Sequence, residues 1–195
     1  IVPLLKDEDD DVRSSAVFAL GEMKAKEYAK ELLPFLKDES ADVRSSAADA
    51  LGKMGAKECA KEIIPLLKDE SAFVRSYAAD ALGAVGAKEC AKEIVPLLKD
   101  ESAGVRCSAA SALGAMGAKE YARELLPLLK DDRDYLRAWA GIALIEMGEK
   151  DAVPKELIAD ITPILQWCGD SPRRAEAALK ALGMSEEEIT KAKKR

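Results

Sequence analysis

Residues 34–64, PFLKDESADVRSSAADALGKMGAKECAKEII, return as residues 65–95 with 25 of 31 positions unchanged. Prolines at Pro3, Pro34, Pro65, Pro96 and Pro127 keep the same period. A text that recurs this closely encodes a stack of similar units, each burying its apolar side against the next, rather than one irregular core. The six differences between the two blocks fall into two groups. Phe35/Leu66, Met54/Val85 and Ile64/Val95 exchange one apolar side chain for another, whereas Asp42/Phe73, Ser46/Tyr77 and Lys53/Ala84 change chemistry outright. The second group lies at spacings of four and seven residues, which puts all three positions on one face of a helix.

Within a block, Cys59, Ala60, Ile63, Ile64 and Leu67 form an apolar stripe across Lys57 to Lys68 with Pro65 inside it. The pattern predicts a first helix, bent where the proline removes a backbone hydrogen bond. A second helix is predicted from about Ala72 to Val85, opened by Ser71, closed by Gly86, and burying Val74, Ala78, Ala81, Leu82 and Val85. Ala79 and Gly83 flank that stripe and are small enough for the next unit to come close. One such helix pair buries too little apolar surface to offset its chain entropy, so neighbours must complete each other's core.

The fold expected is all-α, an α-solenoid of stacked antiparallel helix pairs, about six in number, forming a single array over residues 1–195. The first unit is truncated, because Ile1-Val2-Pro3 matches Ile94-Val95-Pro96 inside a block, and the chain reads as a piece of a longer array. Residues 149–195 form an atypical C-terminal unit and capping helix. Pro127 to Pro163 spans 36 residues, five more than the period, which lengthens the loop before the sixth first-helix. Gly169-Asp170-Ser171-Pro172-Arg173-Arg174 then reads as the cap and first turn of a helix reaching Leu182. Ser185-Glu186-Glu187-Glu188 reads as a capping box opening a last polar helix, whose Lys191, Lys193, Lys194 and Arg195 complement its dipole.

The segment LLKDESADVRSSAADALGKMG and its copies resemble HEAT-like repeats of the short 31-residue type, similar to those of phycobilin lyase subunits and armadillo-like in architecture. The resemblance implies a right-handed superhelix whose second helices line the concave side. It also implies a hydrogen-bonded ladder between repeats, made by the Asp after the first helix and the Arg six residues on: Asp7/Arg13, Asp38/Arg44, Asp69/Arg75, Asp100/Arg106 and Asp131/Arg137. The sixth unit replaces this segment, so the ladder is expected to stop there.

A formal net charge of −6 argues against nucleic acid, whose backbone is tracked by clustered Lys and Arg. No apolar run approaches the roughly 20 residues that span a bilayer, so no membrane contact and a cytoplasmic location are expected. Histidine is absent, which removes the usual general base and the commonest metal ligand. The carboxylate pairs recur in every unit, as structural elements do, and no Cys-x-x-Cys or glycine-rich phosphate loop is present. No enzyme activity, cofactor or metal is expected. Equivalent positions such as Cys59 and Cys90 should lie roughly 10 Å apart, beyond the ~7 Å reach of a disulfide. Cys59, Cys90, Cys107 and Cys168 are therefore read as reduced, small apolar side chains.

Function is sought where the copies differ. Positions spaced zero, four, seven and eleven on the second helix read Asp11, Ser15, Phe18, Glu22; then Asp42, Ser46, Asp49, Lys53; then Phe73, Tyr77, Asp80, Ala84; then Gly104, Ser108, Ser111, Ala115; then Tyr135, Trp139, Ile142, Glu146. At 100° per residue this face lies about 115° from the buried stripe and should be accessible. Phe18, Phe73, Tyr77, Tyr135, Trp139 and Ile142, interspersed with Asp42, Asp49 and Asp80, would suit a peptide or protein bearing apolar and basic side chains. For Tyr135, Trp139 and Ile142 a second reading stands beside this one, in which they fill space beneath the atypical last units. The expected function is a non-catalytic protein-interaction scaffold, with self-association through the array ends as a further route to oligomers. The alternatives are a phycobilin lyase subunit handling a tetrapyrrole, implied by the resemblance alone, and an engineered or consensus-like array without a native partner.

Overall fold

A computed structural model of the chain describes residues 1–166 and 171–194. The regular elements among them are all helical, and none is long and apolar enough to cross a membrane. The α-helices are α1 (Asp10–Glu22), α2 (Ala41–Lys53), α3 (Ala60–Ile63), α4 (Ala72–Ala84), α5 (Ala91–Ile94), α6 (Ala103–Met116), α7 (Ala122–Leu125), α8 (Asp134–Glu146), α9 (Ile158–Ile161), α10 (Ser171–Ala181) and α11 (Glu186–Ala192). They form an α-solenoid class of fold, and the chain divides into two compact units, Ile1–Met116 and Gly117–Arg195.

The repeat alternates a short irregular helix with a long regular one. In the third repeat the first half runs as a 3₁₀ turn at Lys57–Cys59, one α-turn at α3, and a 3₁₀ segment at Ile64–Lys68. Pro65, second in that last segment, has no N–H to give, so the chain tightens into i→i+3 bonds where an α-helix had been expected with a bend. Leu66, Leu67, Ile63, Ala60 and Cys59 face the core. After Asp69 the chain is extended, and α4 begins.

Ser71 stands at the N-cap of α4, but its hydroxyl does not cap the helix. The turn is held instead by Asp69, whose Oδ1 accepts from the Ser71 N–H at 2.9 Å. Asp38 and Asp100 do the same for Ser40 and Ser102, each at 2.9 Å. Helix α4 ends at Gly86, whose φ of +65° lets Ala87 N–H reach back to Leu82 O. Lys24 occupies the corresponding place after α1 with φ +50°, a conformation that costs a side chain more than it costs glycine.

In the first compact unit α1, α2, α4 and α6 pack side by side, and two features set how closely. The first is size. A Cβ on Gly52 would lie 2.9 Å from the Ala81 Cα, and one on Gly21 or Gly83 would lie 2.8 Å from the Cα of Ala50 or Ala112. Backbones thus touch where the glycines lie. Val43, Ala47, Ala50 and Leu51, with Val74, Ala78, Ala81 and Leu82, form the buried stripe.

The second is the ladder. Arg44 donates from Nε and Nη2 to the two carboxylate oxygens of Asp69 in the next repeat, at 2.8 and 2.9 Å, while its Nη1 holds the carbonyls of Asp38 and Glu39 in its own. Arg13 grips Asp38, and Arg75 grips Asp100, in the same way. Within a repeat, therefore, the arginine takes the aspartate's backbone carbonyl, and the carboxylate belongs to the arginine of the repeat before. Hydrogen bonds from Arg13 to Asp38 and from Arg75 to Asp100 hold both carboxyls below their ordinary range. At Asp69 burial pushes the other way, and the bonds from Arg44 and the Ser71 N–H outweigh it.

The second compact unit departs from the pattern where the five extra residues fall. Residues 150–157 form two 3₁₀ turns, Lys150–Ala152 and Lys155–Leu157, with Val153 buried between them. The ladder does not stop here, contrary to expectation. Arg137 grips Asp160 at 2.7 and 3.0 Å, 23 residues on instead of 25, and its Nη1 holds the carbonyls of Asp131 and Asp132. Helix α10 ends at Ala181, close to the expected Leu182, while Gly169 and Asp170 of the expected cap and Cys168 lie outside the described residues. The capping box forms as expected: Ser185 Oγ accepts from Glu188 N–H, and Glu188 Oε2 accepts from Ser185 N–H. Lys193 returns to pair with Glu176 on α10.

Two tests follow from this packing. Gly52→Ala should lower the free energy of unfolding by about 1–3 kcal/mol in urea, because the Ala81 backbone cannot move aside. Gly104→Ala, which meets only the Ser102 Oγ at 3.6 Å, should cost nothing. The ladder carboxyls are depressed in the folded state, so their contribution is full at neutral pH and is lost as pH falls through the lowered values. Melting temperature followed by circular dichroism should hold steady from pH 7 and drop below about pH 4.

Candidate interaction face

The variable positions divide by depth. Position zero faces outward in the first compact unit, where Asp11, Asp42, Phe73 and Gly104 are all exposed, and position eleven likewise exposes Glu22, Lys53, Ala84 and Ala115. Positions four and seven border the neighbouring second helix. Ser46 shares a hydrogen bond with Ser14 at 2.9 Å, and Ser108 pairs with Ser76 at 2.7 Å while donating to Asp80 at 2.9 Å. These hydroxyl contacts occupy the groove between helices and leave the rim to larger side chains.

The aromatic residues on the second helices of this unit are exposed, Phe73 at position zero, Tyr77 at four and Phe18 at seven. Phe73 is 76% exposed, Phe18 49% and Tyr77 42%. Phe73 and Tyr77 sit one turn apart on α4. Asp42 and Asp80 are exposed, and Asp49 is half-buried beside Lys53. Lys53 pairs with Glu22 at 2.6 Å and Asp49 at 2.7 Å, and its ammonium lies 4.8 Å from the centroid of the Phe18 ring. The residue pattern put Lys53 on the variable face with Phe18 and Asp49 but did not count it among the binding residues or foresee that it joins them. The sign that could have shown it is the i, i+4 spacing of Asp49 and Lys53.

On α8 the expected face is not accessible, which corrects the assignment of Trp139 and Ile142. Ile142 is 0% exposed and Trp139 6%, while Tyr135 is half-buried. Helix α10 packs against α8, and Arg174 spreads its guanidinium over the Trp139 ring at 4.8 Å while forking onto both oxygens of Glu146 at 2.7 Å. The sequence DYLRAWAGIALIE is apolar nearly all round, the signature of a helix covered on every side. Near the start of the insertion, a cavity of about 330 Å³ is lined by Lys119, Arg123, Leu126 and Glu149 among others, and none of the singled-out residues reaches it.

Cys59 and Cys90 occupy equivalent buried positions, and burial pushes both thiols up, away from reactivity. Cys107 is half-buried. No group of His, Cys, Asp and Glu among the described residues is arranged to hold a metal ion.

Recurrent helix pairs, joined by an arginine ladder and by glycine contacts, define the class as an α-solenoid of short repeats. The family model for HEAT repeats matches residues 1–72 and 60–145, and the chain belongs to that family. Among solved structures, it is similar to the complex of CpcE and CpcF of phycocyanin lyase from Nostoc sp. PCC7120, at 19% identity over 99% of this chain and 92% of that one, with a TM-score of 0.72. It is also similar to an engineered protein, at 20% identity over 93% and 96% with a TM-score of 0.63. A third is a designed armadillo repeat protein in complex with the peptide (KR)4, at 18% identity over 93% and 98% with a TM-score of 0.55. At these identities the likeness is one of fold. No curated protein matches the sequence significantly.

Burial separates the two sets of aromatics by an experiment. Trp139→Ala should cost about 3–5 kcal/mol of stability, as for a core ring. Tyr77→Ala should stay within about 0.5 kcal/mol of the parent, both measured by urea unfolding.

Proposed function

We propose that the chain is a non-catalytic scaffold that binds a polypeptide on the face carried by α1, α2, α4 and α6, the side that the family resemblance makes concave. The observation that supports this most is Phe73, a phenylalanine 76% exposed at a position where the adjacent repeats carry Asp42 and Gly104. The scaffold does not need the ring there, since its neighbours do without one. Tyr77 repeats the argument against Ser46 and Ser108. Exposed aromatics beside carboxylates favour a partner that brings apolar and basic side chains. One buried aromatic anchor contributes on the order of 2 kcal/mol to an interface, where an exposed carboxylate contact contributes less than about 1 kcal/mol. The rings would set affinity and the acids would select the partner.

Phe18, Asp42, Asp49, Phe73, Tyr77 and Asp80 carry this role in the first compact unit, and Tyr135 holds the corresponding position on α8 of the second. The burial of Trp139 and Ile142 removes them from the contact surface. The same proposal treats residues 1–195 as one array, because the 31-residue text passes from Met116 to Gly117 without a break. The tetrapyrrole reading has the fold likeness to the phycocyanin lyase complex in its favour, and an engineered array has the near-identity of neighbouring copies.

The test compares the full chain with a Phe73→Ala/Tyr77→Ala double variant as bait in a quantitative pull-down. A partner polypeptide retained by the parent should be lost from the variant, whose melting temperature should be unchanged. Equal retention by both would contradict the proposal. A shift in visible absorbance when a bilin is added would favour the lyase reading instead.

A further inference from the structure

The copies let one junction be compared with the others. In the turn that follows a long helix, Ala25, Ala56, Ala87 and Ala118 fill one buried position, but in the turn after α8 Glu149 stands there, exposed. Three residues on, Cys59 and Cys90 are buried and Tyr28 and Tyr121 half-buried, whereas Ala152 is exposed. The insertion then buries Val153 and Leu157. Leu126, in the repeat before, is 39% exposed, although Leu33, Ile64 and Val95 at the same position are half-buried. The extra residues thus take over the core contacts of this turn, and a cavity of about 330 Å³ is bordered by the turn, α7 and α8.

Two kinds of side chain line it. Ala122, Leu126, Leu144 and Ala152 supply apolar surface, while Lys119, Arg123, Glu120 and Glu149 bring two cations and two carboxylates. Lys119 and Arg123 are one turn apart, which puts them on the same side of their segment. The Lys119 ammonium lies against Gly148, 3.3 Å from where a Cβ on that glycine would stand, and Glu149 is the next residue. In two earlier repeats the equivalent lysine is engaged: Lys26 reaches Glu58 at 3.6 Å and Lys57 reaches Glu89 at 3.9 Å, each 32 residues on. The residue at that offset from Lys119 is Asp151. None of Lys119, Glu120, Arg123 and Glu149 makes an ion pair or a side-chain hydrogen bond among the described residues. A ligand with a single charge would be drawn to one pair and repelled by the other, and a dipolar ligand satisfies both.

We propose that this cavity binds a free α-amino acid with an apolar side chain the size of leucine or phenylalanine. Its carboxylate pairs with Lys119 and Arg123, its ammonium with Glu149 and Glu120, and its side chain covers Leu126 and Leu144. The volume is at the small end of the roughly 300–1,000 Å³ usual for ligand cavities, which suits one amino acid and not a longer chain. A residue at either end of a polypeptide keeps only one of the two charges, so the site selects the free molecule over a peptide terminus. The proposal does not rest on the interaction face and stands or falls without it.

The probes are L-leucine and L-phenylalanine, titrated into the isotope-labelled full chain and followed by amide chemical shifts, with the Leu126, Gly148 and Glu149 amides expected to move. The N-acetyl derivatives, which lack the ammonium, and the amides, which lack the carboxylate, should each bind roughly five- to twentyfold more weakly. Glycine, without the apolar side chain, should bind more weakly than either probe. Lys119→Gln/Arg123→Gln should remove the preference for the free amino acid over its amide, and Glu120→Gln/Glu149→Gln the preference over the N-acetyl form. All four positions are exposed, so the melting temperature of both variants should match the parent. Absence of binding by both probes would overturn the site. Equal binding of the blocked derivatives would overturn the dipolar seat, and unchanged affinity in both double variants would place the binding elsewhere and overturn the assignment of the cavity.

Discussion

The structure depends on one contact, an arginine that ties its own turn to the carboxylate of the next repeat. Arg44 illustrates why no other side chain serves. Three of its nitrogens point in fixed directions in one plane, so a single group can hold Asp38 O, Glu39 O and both oxygens of Asp69 at once. A lysine ammonium could meet one or two of these acceptors. The aspartate is equally committed, since Asp69 also fixes the first turn of α4 through the Ser71 N–H. Each rung therefore couples the start of one long helix to the start of the next, and the pair is largely buried. Removing one partner leaves the other desolvated, so the two are useful only together.

Because the ladder sets register at the helix starts and the glycine contacts set distance further along, the outer positions are free of structural duty. That division is what allows Asp42, Phe73 and Gly104 to occupy equivalent places on one scaffold. A repeat protein can in this way change its surface without changing its frame. Lys53 shows the freedom in use, since it builds an acid–cation–ring cluster with Phe18, Glu22 and Asp49 that has no counterpart at Ala84 or Ala115. Phe73 and Tyr77 are exposed for the same reason: nothing in the stacking draws them inward.

Much of the fold was legible because the period repeats it. Helix α4 was expected over Ala72 to Val85 and runs Ala72–Ala84; Gly86 follows its end, and of the expected stripe Val74, Ala78, Ala81 and Leu82 are buried while Val85, past the last turn, is half-buried. Periodicity fails where one copy differs from the rest. Asp160 could not be found from the period because it is not at the ladder aspartate's place after the first helix: it lies on α9, three residues before Pro163, and meets Arg137 only in three dimensions. Trp139 and Ile142 sit at positions four and seven, where Tyr77 and Phe18 are exposed, but on α8 both are buried, with Arg174 of α10 lying over the Trp139 ring. The apolar circumference of α8 was the local sign of this, and it conflicts with the averaged pattern. In the first helices Pro65 was expected to bend an α-helix, whereas the lost N–H shifts the following turn into 3₁₀ geometry.

The account stands on the claim that the rungs are energetically coupled and not merely close in space. A double-mutant cycle on Arg44→Met and Asp69→Leu, read by urea unfolding, measures this directly. A coupling energy of about 1–3 kcal/mol is the result the ladder requires. Additivity within about 0.5 kcal/mol would contradict it and would place the register of the stack in apolar packing alone.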